Sequence, residues 1–176
     1  VKAALFPVQF WLPAAYAAAP APVAALFAIM TKVGAYAIIR VYTLIFGEGT
    51  PELSAFVADL LLPAALVTLA VGGVGVLGSR RLERLIAFSV LASMGTLMTA
   101  IALFTPAGLT AALYYLVHST FAGAALFLVA DMARRGRAEG LRPHGLTVSF
   151  YFVAAVAMAG MPPFTGFLGK VFVMQA

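Results

Sequence analysis

The sequence predicts an all-α fold, a polytopic transmembrane helical bundle with a discontinuous final helix, and three observations carry that prediction. Hydrophobic residues make up 64% of the chain and charged residues only 10%, with a mean hydropathy of +1.05, whereas soluble domains carry about 25% charged residues. The apolar residues fall into runs long enough to cross a bilayer, for which about 20 suffice. The last run contains Pro162-Pro163, a pair that cannot continue a helical hydrogen-bond ladder.

Charge and cysteine content narrow the function classes. The net charge is +5 and the pI near 9.9, but most arginines sit between apolar runs, where they orient helices in a membrane. Nucleic acid is therefore not an expected partner. With no cysteine, disulfides, zinc-thiolate sites and cysteine catalysis are excluded. The chain opens at Val1 and ends at Gln175-Ala176 within an apolar stretch, so a single membrane domain that is part of a longer polypeptide is expected.

Taken in order, residues 1–18 hold Lys2, Pro7 and the run Phe10-Trp11-Leu12-Pro13, which makes for a partial span with a short or broken helix. Trp11 and Tyr16 suit a membrane interface. Pro20 and Pro22 favour a helix start, and the 20–46 span follows with Lys32 and Arg40 as its charges. Lys32, Tyr36 and Arg40 recur at i, i+4 and i+8, a spacing that predicts one shared helix face. Glu48, Gly49, Pro51 and Glu52 mark an acidic turn over 47–54. The 53–77 span comes next, with Asp59 early in it. Its Gly73, Gly75 and Gly78 match a G-x-G-x-x-G spacing, yet no acid lies about 20 residues on. These glycines are expected to serve close helix packing instead.

The stretch Ser79 to Arg84 is basic and leads into an 82–104 span, a neutral turn at 105–108 and a 107–132 span centred on His118. Arg134, Arg135, Arg137 and Arg142 form a second basic stretch over 134–145. With Arg80, Arg81 and Arg84 they make seven of the eleven Lys and Arg residues. Two spans separate the stretches, so they share one side, cytoplasmic by the positive-inside rule, in a multi-pass protein of the inner (cytoplasmic) membrane. The final run, 146–176, is expected to break at about 160–166, with Lys170 just beyond. Gly169-Lys170 is no phosphate loop, because Phe164 and Val171 stand where that motif needs Gly and Ser or Thr. No cofactor, metal or catalytic residue is expected.

What remains is a set of ionisable groups on separate apolar segments: Lys2, Lys32, His118 and Lys170. A lysine near mid-bilayer costs roughly 2.5 to 3.5 kcal/mol on insertion scales and faces water, a counter-charge or a proton route. Packing alone explains such a set poorly, whereas a proton relay needs groups whose proton affinity is set by burial and neighbouring charge. Tyr114, Ser119 and Thr120 beside His118, and Tyr36 and Arg40 beside Lys32, are the expected supporting residues. A histidine at this depth, among hydroxyls that hold water, is a proton-carrier candidate.

Several motifs then carry a resemblance. Phe10-Trp11-Leu12-Pro13-Ala14, Ala19-Pro20-Ala21-Pro22-Val23, Thr31-Lys32-Val33-Gly34-Ala35-Tyr36, Arg84-Leu85-Ile86-Ala87-Phe88-Ser89 with Ser93-Met94-Gly95, and Gly160-Met161-Pro162-Pro163 through Gly166 to Lys170 resemble the antiporter-like subunits shared by Mrp-type multisubunit cation/proton antiporters and respiratory complex I. Thr31 to Phe46 and Leu113 to Ser119 are most similar to the D-type Mrp subunit. The resemblance implies Lys2 as the broken-helix lysine of one half-channel, Lys32 as the connecting lysine, His118 as the central relay and Lys170 as the terminal group. It also implies a monovalent cation/proton antiporter whose partners are other subunits of a hetero-oligomeric membrane complex, the lipid bilayer, protons and Na+ or K+. A proton-pumping subunit of NADH:quinone oxidoreductase or a related membrane hydrogenase is the alternative, and a passive scaffold subunit the third. The chain departs from the family at Arg81-Leu82-Glu83-Arg84, where acid-x-Lys-Arg is frequent, and at Ser93, where His or Gln is frequent.

Overall fold

A computed structural model describes residues 1–46, 51–138 and 145–176. Of the acidic turn, residues 47–50 lie outside the described residues, as does Arg142 of the second basic stretch. Seven α-helices are described: α1 Trp11–Ala18, α2 Ala21–Val41, α3 Pro51–Gly78, α4 Leu82–Ala102, α5 Pro106–Ala138, α6 Gly145–Ala159 and α7 Thr165–Gln175. A π turn, Tyr42–Phe46, extends α2. Among the described residues, four segments are long and apolar enough to cross a membrane, Ala21–Leu44, Ala55–Gly78, Leu82–Ala102 and Pro106–Gly136. The protein is a membrane protein.

Helix α4 forms the centre of the bundle. It is apolar on nearly every face, and such a helix is stable only when surrounded; α1, α2, α3, α5 and α7 pack around it. Met94, Leu97, Met98 and Ile101 are fully buried along it. Helix α3 lies closest, because glycines remove the side chains that would hold the two apart. A Cβ at Gly72 would stand 2.5 Å from the Ala92 nitrogen, and one at Gly95 would stand 2.5 Å from the Leu69 nitrogen. Contrary to the expectation for Gly73, Gly75 and Gly78, only Gly75 packs, against Phe88, while the other two face open space. The period of 3.6 turns residues 72 and 75 toward one neighbour and 73 and 78 away from it.

The second basic stretch is helical at its start. Helix α5 continues through Arg134 and Arg135, which pair with Asp131 at 3.0 and 2.7 Å. Pairs at i, i+3 and i, i+4 favour helix continuation. A small cavity lined by Glu83, Asp131 and Arg134 puts the start of α4 and the end of α5 at one end of the bundle. Helix α3 likewise starts at Pro51 and runs through Pro63 without ending; Asp59 on it is exposed.

The final run is discontinuous, as its prolines require. Helix α6 stops at Gly160, whose φ of +72° lies in the left-handed region. The Gly160 N–H donates to Ala157 O at 3.1 Å and the Met161 N–H to Val156 O at 3.2 Å. This pair of bonds is a Schellman close with glycine in the position that favours it. Pro162 and Pro163 then prevent the helix from resuming, and α7 starts at Thr165, a little before the expected end of the break.

Candidate functional site

Lys32 sits eleven residues into α2, about 17 Å along its axis at 1.5 Å per residue, and is 2% exposed. Its Nζ donates to Ser93 Oγ at 3.0 Å and contacts Met94 Sδ at 3.2 Å. An ammonium removed from water is sustained only by such partners. The Ser93 hydroxyl itself donates to Val90 O at 2.8 Å, which leaves its oxygen free to accept from the lysine. Sequence reasoning noticed Ser93 only as a departure from a pattern, yet it is the Lys32 partner.

From Ser93 a cavity of about 270 Å³ extends between α4, α5 and α6 to Lys170, with Ser89, Thr96, Tyr115 and Tyr151 also on its walls. A water occupies about 30 Å³ in the liquid, so this space admits a chain of several. Ser89, Ser93 and Thr96 fall at i, i+4 and i+7, the spacing of one helix face. That hydroxyl stripe in an apolar helix is the signal by which sequence inspection could have found the site. Ser89 and Thr96 direct their protons to Leu85 O and Ala92 O at 2.9 and 3.3 Å, so their oxygens remain available as acceptors.

At the far wall the helix break supplies the chemistry. The last carbonyls of a helix lack intrahelical donors, and the negative end of the helix dipole favours a cation there. Lys170 Nζ donates to Ala159 O at 2.8 Å. His118 reaches the same helix end, with Nε2 3.0 Å from Ala157 O and Nδ1 2.8 Å from Thr165 Oγ1. A carbonyl only accepts, so Nε2 carries the proton, and the neutral ring takes the Thr165 hydroxyl as donor at Nδ1. Thr165 escaped sequence reasoning because nothing in its flanks marks it; only the fold brings α7 to α5.

The other expected residues are placed less closely. Lys2 is exposed, while its backbone rests against α2 at Gly34, where a Cβ would stand 3.0 Å from the Lys2 carbonyl carbon. That contact lies two residues from Lys32 in sequence. Tyr36 and Arg40 are exposed and do not join Lys32, because each step of four residues rotates about 40° around the helix and eight residues about 80°. Ser119 and Thr120 donate to Leu116 O of their own helix at 3.3 and 2.7 Å rather than to His118. Tyr114 stacks edge-on against Phe172 and borders the His118 cavity.

A bundle of apolar helices that keeps a lysine buried at depth, with a broken helix offering its carbonyls to another, is the build of a polytopic membrane protein. The chain belongs to the family described as NADH:quinone oxidoreductase/Mrp antiporter, TM, which residues 1–176 match throughout. It is 39% identical, over 97% of its length, to the D subunit of the probable K(+)/H(+) antiporter of Rhizobium meliloti (strain 1021). It is 37% identical, again over 97% of its length, to the D subunit of the Na(+)/H(+) antiporter of Bacillus subtilis (strain 168). The chain spans 36% of the length of each of these relatives. Its fold is similar to a chain of the Mrp complex from Dietzia sp. DQ12-45-1b, with a TM-score of 0.87 and 29% identity, covering 99% of this chain and 33% of that one. It is also similar to a chain of the membrane-bound sulfane sulfur reductase, an archaeal respiratory membrane complex, with a TM-score of 0.83 and 25% identity, covering 97% and 36%.

Proposed function

We propose that this chain is the proton-translocating part of a D-type subunit in a multisubunit monovalent cation/proton antiporter. The observation that carries the reading is the buried Lys32, bonded to Ser93 on the wall of a cavity that ends at Lys170. Protons pass along Lys2, Lys32, His118 and Lys170, with Lys2, on the segment packed against Gly34, feeding Lys32, and the cavity beyond Ser93 leading to Lys170. The relatives named as D subunits of K(+)/H(+) and Na(+)/H(+) antiporters support the cation/proton assignment. Partners are then the other subunits, the surrounding lipid, and Na+ or K+ as the exchanged ion. The location is the cytoplasmic membrane, with the arginine-rich end of the bundle toward the cytoplasm.

A second reading, a proton-pumping subunit of a redox-driven complex, draws on the likeness to the respiratory membrane complex. The test is expression of the full-length protein with its companion subunits in cells lacking other antiporters, followed by everted-vesicle assays. Addition of Na+ or K+ should release accumulated protons, and Lys170→Ala should impair this more than Arg135→Ala, whose charge is solvated and paired with Asp131. An absence of cation-dependent exchange, with a quinone- or hydrogenase-type module copurifying, would transfer the assignment to the redox-driven complex.

A further inference from the structure

Helix α3 buries one narrow face, Ala65, Thr68 and Gly72, at the i, i+3 and i+7 spacing of a helix stripe. Thr68 is the polar member of that face and is fully buried. Its hydroxyl donates to Ala64 O at 2.7 Å, which leaves its oxygen to accept the Phe6 N–H at 2.9 Å. Among the described residues this is the one hydrogen bond from residues 1–10 to a helix beyond α1. We propose that Thr68 is a positioning residue for proton transfer, holding the segment that carries Lys2 against α2 beside Lys32. The proposal rests on the reading of proton movement given above.

Three observations support it. First, the segment runs between two fixed points. Gly34 of α2 admits its backbone on one side, where a Cβ would stand 2.9 Å from Ala3 N and 3.0 Å from the Lys2 carbonyl carbon. Thr68 takes it on the other, because the segment's own turns use the Ala4 and Val8 N–H groups, on Val1 O and Leu5 O at 2.9 Å each, and leave that of Phe6 over. Second, the backbone between these points is strained. Ala4 is fully buried with φ at +50°, in the left-handed region that is costly for a residue with a Cβ and persists only where the surroundings over-determine it. Third, the anchor is rigid. One residue beyond Thr68, the Leu69 nitrogen lies where a Cβ at Gly95 would approach to 2.5 Å, and one turn beyond, Gly72 meets the Ala92 backbone. Thr68 is thereby tied to α4, the helix that also carries Ser93, the partner of Lys32. Lys2 and Lys32 are both placed with reference to that helix.

The test uses the full-length protein in its assembled complex, read by cation-dependent proton release from everted vesicles and by hydrogen exchange at the Phe6 amide. Thr68→Val keeps the side-chain shape and removes the hydroxyl, and Thr68→Ser restores it. A misplacement of about 1 Å can cost roughly 100-fold in rate. Thr68→Val should therefore lose protection of the Phe6 amide and release protons roughly 10- to 100-fold more slowly at an unaltered yield of complex, and Thr68→Ser should recover both. Thr99 donates to Gly95 O of its own helix at 2.9 Å, so Thr99→Val, which also removes a hydroxyl from a membrane helix, should leave both readings unchanged. Should Thr68→Val not assemble, Thr68→Cys, with a weakly accepting sulfur, is read in its place with the same outcomes. An unaltered rate in that variant, a Phe6 amide still protected there, a Thr68→Ser protein as slow as Thr68→Val, or equal slowing in Thr99→Val would each overturn the proposal. Lys2→Met separates the two readings: normal exchange there would overturn the path through Lys2 on which the proposal rests, whereas a slow Lys2→Met beside an unaltered Thr68→Val would overturn the positioning role alone.

Discussion

Replacing Lys32 by methionine separates the two things a buried lysine does, filling space and carrying charge. Methionine is close to lysine in length and has no ammonium, so Lys32→Met leaves little cavity beside Met94 and Ser93. It removes the 3.0 Å bond to Ser93 Oγ, but the Ser93 proton stays bonded to Val90 O, and no buried donor is orphaned. An apolar residue of similar volume in place of a buried charge is often neutral or stabilising by about 1 to 4 kcal/mol. The expected outcome is therefore a complex that assembles and melts at or above the unaltered temperature, yet exchanges protons about 100-fold or more slowly. Thermal unfolding in detergent and dye-reported proton release from everted vesicles measure the two quantities. Exchange at the unaltered rate, or a marked fall in stability, would refute the argument, since either would make Lys32 a structural group.

The helix contact between α3 and α4 makes a contrast testable within one helix: Gly72→Val should destabilise strongly, since its Cβ meets Ala92 backbone at 2.5 Å, whereas Gly73→Ala, with nothing within 4 Å, should be neutral or stabilising by about 0.5 to 1 kcal/mol, as read by thermal unfolding. For topology, Arg80→Cys and Arg135→Cys should be shielded from an impermeant thiol reagent in intact cells while Thr105→Cys reacts; the reverse pattern would invert the bundle.

Part of this protein was legible in the residues themselves. The apolar runs, the placement of Lys32 and His118 within them, and the interruption at Pro162-Pro163 follow from local composition, because bilayer thickness and backbone hydrogen bonding constrain a segment before it has neighbours. The stopping point of α6 at Gly160, with the two prolines following, is equally local. What each buried group touches was decided elsewhere. Lys32 and Ser93 are 61 residues apart and His118 and Thr165 are 47 apart. Such pairs depend on which helix faces meet, and that is set by the packing of α2 against α4 and by the return of α7 onto α5. The helical period accounts for the misplaced supporting residues too: Tyr36 and Arg40 share a broad stripe with Lys32, but small rotations along α2 carry them out of its contact. Tertiary packing alone brought His118 and Lys170 to one helix end, because no periodicity within a helix records what lies across from it.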